Sequence, residues 1–195
     1  MRDIFKLALF LLMVAGVAGA GLSYVNGLAT PLIEKQILQN KLDSFKEVYP
    51  QADKVENESA TYLKDAHDPA LKEINIAYRS GMPAGVLYAV DTKGYSGTIS
   101  ILAGFDIAAA RITAIKVLSQ RETPGLGAKA KDRAFQDRYK DKNAATPLEV
   151  TKTAPVKENQ IQAITASTIT SKAITGAVNA AREHFNRHFA KVPRP

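Results

Sequence analysis

From Leu7 to Ile33 the chain carries not one charged side chain, and no other feature restricts its design as strongly. Leu7 to Val25 is an apolar run of 19 residues, close to the ~20 that cross ~30 Å of hydrocarbon at ~1.5 Å per residue. Ser23, Tyr24 and Asn26 stand at its far end, where an amphipathic ring and amides suit the membrane–water interface. Arg2, Lys6 and the terminal amine precede it, and Asp3 offsets one of these charges. The positive-inside bias then holds the N-terminus in the cytoplasm and sends the rest across. A cleavable signal peptide shares the charged start and the small residues Ala18-Gly19-Ala20. The uncharged stretch exceeds the ~7–15 residues of a signal's apolar region, which favours a retained anchor over residues 1–28.

Beyond the anchor, Pro31 after Thr30 predicts a new helix start. Leu32, Ile33, Ile37, Leu38, Leu42, Phe45 and Val48 recur at helical spacing, so residues 31–48 read as an amphipathic helix ended by Tyr49-Pro50. With a polar stretch over 51–70, expected to be loop with a short strand, they make residues 29–60 a helix and connector. The remaining residues, 61–195, form one domain.

In that domain the period changes to two. Ile74, Ile76 and Tyr78, then Val86, Tyr88 and Val90, then Ile99, Ile101, Ala103 and Phe105, then Ile112 to Val117 predict four strands. Gly81–Gly85, Lys93–Gly97 and Asp106–Ala110 punctuate them, and such short connections indicate an antiparallel sheet. Residues 119–160 read as loop with a helical patch near Lys131–Tyr139. Ala173, Ile174, Ala177, Val178, Ala181, Phe185 and Phe189 then share one face of a closing helix. The expected class is α+β, an N-terminal transmembrane helix followed by a twisted, mainly antiparallel sheet with helices packed on one face. No strand–helix alternation announces a doubly wound nucleotide fold.

Composition closes off several chemistries. The sequence has no cysteine, hence no disulfide, no thiolate metal site and no cysteine nucleophile. The net charge is +7, but basic and acidic residues intermingle, as in Lys129-Ala-Lys131-Asp132-Arg133, which reads as a solvated surface rather than a nucleic-acid stripe. No Gly-x-Ser-x-Gly elbow and no phosphate-binding Gly-x-x-x-x-Gly-Lys loop occurs. His67, His184 and His188 make no plausible zinc set. The last two, four apart on the closing helix, are expected on its surface.

Two segments invite a ligand. In Glu122-Thr-Pro-Gly-Leu-Gly127, Pro124 fixes one dihedral while Gly125 and Gly127 permit positive φ and close approach to the backbone. Such a turn can offer amide donors to a planar, acceptor-rich ring, with Leu126 as an apolar contact; an ordinary tight turn has the same composition. In Thr165-Ala-Ser-Thr-Ile-Thr-Ser171, five hydroxyls precede or open the closing helix. They are expected to cap it, and the helix N-terminus favours a phosphate.

Together these residues resemble the FMN-binding proteins that include the G subunit of Rnf-type ion-translocating electron-transport complexes and the C subunit of sodium-translocating NADH:quinone reductase. The resemblance runs from about Gly94 to the end of the closing helix. Gly94-Tyr-Ser-Gly-Thr-Ile-Ser-Ile-Leu-Ala-Gly-Phe-Asp106 is similar to the family's glycine–tyrosine turn and strand, and Glu122–Gly127 is its most distinctive block. Gln162-Ala-Ile-Thr-Ala-Ser-Thr168 aligns with the flavin-attachment signature Asp-x-x-Ser/Thr-Gly-Ala-Thr. Gln162 stands in place of the acid, Ala166 of the glycine and Ser167 of the alanine.

The resemblance implies FMN joined by a phosphoester to Thr168, with Thr165 as the preceding hydroxyl and Ser167 as the fallback acceptor. It implies that Glu122, Thr123, Leu126 and Gly127 line the isoalloxazine, and that a separate flavin transferase installs the cofactor outside the membrane. The implied role is electron carriage within a ferredoxin:NAD-type ion-translocating oxidoreductase complex, beside other membrane subunits. The C subunit of the quinone reductase and a stand-alone extracytoplasmic FMN protein are the alternatives, and such C subunits are generally longer. A non-redox anchored module, in which the hydroxyls merely cap a helix, is the reading of another class.

Overall fold

The computed structural model describes residues 2–65, 68–153 and 156–190; His67 lies outside them. The chain divides into two compact units, Met1–Asp43 and Ser44–Pro195. The division falls inside the expected connector, so residues 44–60 belong with the sheet.

Helix α1 runs unbroken from Arg2 to Val48 with Pro31 inside it, so the expected restart at Thr30-Pro31 does not occur. Proline removes one helical hydrogen bond, that to the Gly27 carbonyl, and the helix continues through it; one residue earlier the Thr30 hydroxyl donates to the Asn26 carbonyl at 2.8 Å. Past the apolar run, Gln36 donates to Asn40 and Gln39 to Asp43 at 2.9 and 3.1 Å. These i,i+4 pairs support a helix that has left apolar surroundings. By length and composition α1 can cross a membrane.

The second unit is built on five strands paired antiparallel in chain order: β1 (Lys54–Asn57), β2 (Leu71–Arg79), β3 (Met82–Lys93), β4 (Thr98–Asp106) and β5 (Arg111–Ser119). The four strands expected from alternation are β2 to β5, and β1 is the short strand of the polar stretch. Gly81–Gly85 separates β2 from β3 only at its start. The turn is Ser80-Gly81, both at positive φ, whereas Gly85 lies within β3.

A short helix, α2 (Ser59–Tyr62), follows β1, and the region after β5 holds 3-10 turns around α3 (Arg133–Gln136). Next come β6 (Glu149–Thr151) and β7 (Gln160–Gln162), a parallel pair too short for periodicity to reveal. Helix α4 (Thr168–His188) closes the fold.

One face of the sheet carries Ile74, Val86, Tyr88, Ile99, Ile101, Phe105 and Ile112, and α4 covers it with Ile174, Val178, Ala181 and Phe185. Phe105 and Phe185 stack with ring centroids 5.0 Å apart. A bulge in β5, where Gly104 pairs with Ala114 but Phe105 with Ile112, lets both Ile112 and Ile115 join this core.

The opposite face is not bare, contrary to the expectation of helices on one side. Phe45, Val48 and Tyr49, from the last turn of α1 and just beyond it, pack on Ala77, Leu87 and Leu102. Glycine makes the contact possible: a Cβ on Gly85 would meet the Tyr49 ring at 2.4 Å, and one on Gly104 would meet Val48 Cγ1 at 2.4 Å. Tyr49 Oη donates to Asp106 Oδ2 at 2.8 Å, and Thr113 Oγ1 donates to the Val48 carbonyl at 2.8 Å.

Helix α4 also buries more than its apolar stripe. His184, expected on the surface, is 3% exposed. Its Nδ1 pairs with Tyr88 Oη at 3.0 Å and its Nε2 faces the Tyr62 carbonyl at 3.3 Å. Tyr88 on the sheet and Tyr62 of α2 therefore enclose an arc of the helix that the sequence pattern leaves polar.

Candidate functional site

The loop after β5 and the first turn of α4, distant in sequence, meet across an open cavity of about 440 Å³, within the ~300–1,000 Å³ of small-ligand sites. Glu122, Thr123, Leu126 and Gly127 form one wall, Ala166, Ser167, Thr168, Ile169 and Thr170 the other, and Tyr95 from the β3–β4 turn stands at the edge. Six of the seven expected site residues come together here. Thr165 does not: it is exposed on the adjoining turn and lines no part of the cavity.

Glu122 organises the loop wall. It is 6% exposed, and Thr170 Oγ1 donates to its Oε2, linking positions 48 apart in the chain. The Ser96 amide donates to Oε1 at 2.8 Å, and the amides of Tyr95 and Gly97 also point to the carboxylate. Burial by itself would raise this carboxyl, but the Thr170 hydroxyl and these amides hold it below the usual carboxylate range. The charge thus ties the β3–β4 turn, the 122–127 loop and α4 to one point on the cavity wall.

The surrounding glycines follow from that packing. A Cβ on Gly94 would lie 2.6 Å from Glu122 Oε1, and one on Gly127 would lie 2.6 Å from Oε2 and 2.7 Å from Thr170 Oγ1. Gly125 answers a different need, a φ of +77° with open space around it.

The helix wall is made otherwise. Ser167 N donates to the Ile164 carbonyl at 2.9 Å, closing a turn in which Ala166 holds φ +60°. With positive φ at its third residue, this turn prefers glycine there. Ser171, fully buried, fastens it: Oγ accepts from Ile164 N and donates to the Ser167 carbonyl, both at 2.9 Å.

The expected hydroxyl cap is therefore absent. Ser167 occupies the N-cap position with no side-chain cap bond, while Ser171 serves the turn and Thr170 serves Glu122. Amide groups of the first turn are left available to an anion. Ser167 is buried, while Thr168 is partly exposed beside the cavity.

Tyr95, Ala166, Ile169 and Thr170 are the lining residues that sequence reasoning missed. Tyr95 had a signal, an aromatic at the tip of a Gly-flanked turn. Thr170 belongs to the hydroxyl cluster that the sequence shows, but its bond to Glu122 had no signal, since that partner lies in another element.

These features suit a flavin nucleotide. The cavity has the size, Leu126 and Ile169 supply apolar surface at 42% and 55% exposure, and the uncapped helix start supplies donors for a phosphate. Residues 94–183 match the family described as the FMN-binding domain, the class that this fold and site define. Two solved structures share the fold. The Shewanella oneidensis NqrC has TM-score 0.54 and 15% identity, covering 74% of this chain and 86% of that one. The C subunit of the Na(+)-translocating NADH-quinone reductase from Parabacteroides distasonis has TM-score 0.52 and 22% identity, covering 63% and 64%.

Among curated relatives, the G subunit of the Na(+)-translocating ferredoxin:NAD(+) oxidoreductase complex of Acetobacterium woodii is 37% identical, over 91% of this chain and 89% of that protein. The G subunit of the ion-translocating oxidoreductase complex of Methanosarcina acetivorans is 27% identical, over 95% and 96%. The chain belongs to the G-subunit family of ion-translocating oxidoreductase complexes.

Proposed function

We propose that this chain carries electrons through a covalently bound FMN as one component of a membrane-bound, ion-translocating oxidoreductase of the ferredoxin:NAD+ type. The observation that carries the proposal is the convergence of the Glu122–Gly127 loop and Thr168 on one cavity. In this reading the FMN phosphate is esterified to Thr168 Oγ1, so the adduct weighs one water less than protein plus FMN. Thr168 is favoured over Ser167 as acceptor because it is accessible and Ser167 is buried.

When bound, FMN supplies reversible electron acceptance, and the protein supplies orientation and electrostatics. The amides opening α4 would hold the phosphate. Leu126, Ile169 and Tyr95 would flank the ring system, with Thr123 and Gly127 beside it. Glu122 would keep the loop in shape instead of contacting the flavin through its carboxylate. Thr165 would serve recognition by the flavin transferase, since it is exposed and lies outside the cavity. Residues 1–28 would anchor the chain, with the flavin domain on the extracytoplasmic side, where the transferase acts.

The test is co-expression with a flavin transferase and with the other subunits of the complex. The expected result is a band of this chain that fluoresces on a denaturing gel and co-purifies with multi-span membrane subunits. A dark band would contradict covalent attachment; a fluorescent chain that purifies alone would favour a stand-alone carrier.

A further inference from the structure

Six large apolar side chains of the second unit are exposed among its described residues: Met82, Tyr95, Leu118, Leu126, Val156 and Ile169. Three of them, Tyr95, Leu126 and Ile169, line the same cavity. Exposed apolar residues scattered singly need no explanation; grouped at the mouth of a ligand site they suit the ligand and, around it, a partner that must come close to that ligand.

Cations border this group. Arg121 immediately precedes Glu122, and its Cβ is 3.6 Å from where a Cβ on Gly97 would stand. Lys129 follows Gly127 by two residues. Lys172 lies one turn beyond Thr168 on α4, on the same side of the helix. All three are exposed, and none makes an ion pair among the described residues. The cavity's one carboxylate, Glu122, is buried and fully engaged. The segments that form the mouth thus carry three exposed cations beside its apolar lining, with Asp132 the exposed acid nearest to them in sequence.

Resting on the flavin reading above, we propose that this mouth is the docking surface for an electron-transfer partner whose own redox centre is surrounded by acidic side chains. Charge complementarity identifies the occupant. Transient redox contacts are small, with oriented charge steering the encounter and an apolar centre allowing close approach. A basic partner would meet like charge, and a purely apolar one would leave three cations without counter-charges.

The test uses the full-length, flavin-loaded chain in lipid nanodiscs, with an acidic plant-type ferredoxin as probe and basic mitochondrial cytochrome c as control. Binding is measured at about 0.01 M ionic strength, where charges reach ~30 Å, and again at about 0.15 M. Wild type is expected to bind ferredoxin, more weakly in the higher salt, and not cytochrome c. The triple variant R121E/K129E/K172E should bind ferredoxin about tenfold less tightly and acquire affinity for cytochrome c.

The neutral variant R121Q/K129Q/K172Q should fall between the two, which guards against a folding defect in the reversed one. Equal ferredoxin affinity in wild type and both variants, or none in wild type, would overturn the proposal. Loss of flavin from the variants would also overturn it, by assigning the cations to the cofactor. A wild-type chain lacking flavin absorbance would instead fail the flavin reading itself, so the two failures are distinguishable.

Discussion

The two walls of the cavity are built on opposite principles. The loop wall is over-determined: one buried carboxylate gathers donors from the β3–β4 turn and α4, and glycines at 94 and 127 leave room for it. The helix wall is left open: its cap position has no side-chain cap, and a non-glycine residue, Ala166, sits at positive φ two residues before Thr168. The difference teaches a division of labour. One wall fixes a shape, and the other leaves an uncapped helix start and Thr168 beside the cavity.

The largest way to break this comparison is to remove the carboxylate. Glu122→Ala should destabilise the second unit by about 3–5 kcal/mol, as expected when several donors lose a buried charged partner. Urea unfolding in detergent measures it, and a loss under about 1 kcal/mol would mean the clasp is idle.

The same group sets a pH dependence. Its folded pKa lies below the ordinary value of about 4.3, so its contribution is complete above that pH. The contribution is lost as pH falls through the folded pKa, because the unfolded chain takes up the proton first. Glu122→Gln should flatten the acid limb of the stability profile; an unchanged limb would exclude this carboxylate as its source.

Next in size is Gly127→Ala, whose Cβ would press on both Glu122 and Thr170. It should cost about 1–3 kcal/mol by overpacking. Thermal unfolding of this variant beside Gly125→Ala separates crowding from backbone strain, since position 125 has space but a positive φ.

The smallest effect sharpens the other wall. Ala166→Gly relieves a left-handed alanine, worth roughly 1–2 kcal/mol, against about 0.4–1 kcal/mol of added unfolded-state entropy. It should be neutral to stabilising by about 1 kcal/mol, and a clear loss in a thermal melt would show that the alanine methyl is needed.

Much of this was legible in the sequence because it depends on local pattern. Period-two alternation marks β2 to β5, and period 3.6 marks α4. The Pro-Gly loop and hydroxyl cluster stand out by composition, and each does form a wall. What the sequence hid depends on contacts between distant elements. The bond from Thr170 to Glu122, the role of Ser171 in the turn, and the glycines that admit Val48 and Tyr49 follow from where the chain folds back. Helix boundaries failed at Pro31 because a proline costs one bond in a long helix, which neighbouring turns can absorb. His184 was misplaced on the surface because its partners, Tyr62 and Tyr88, come from elements that no helical periodicity reports.

The most direct measurement is the intact mass of the full-length chain co-expressed with a flavin transferase, beside Thr168→Val. The account predicts that wild type gains the mass of FMN less one water and that the variant gains nothing. An unmodified wild type, or an adduct that survives in the variant, would contradict Thr168 as the attachment point.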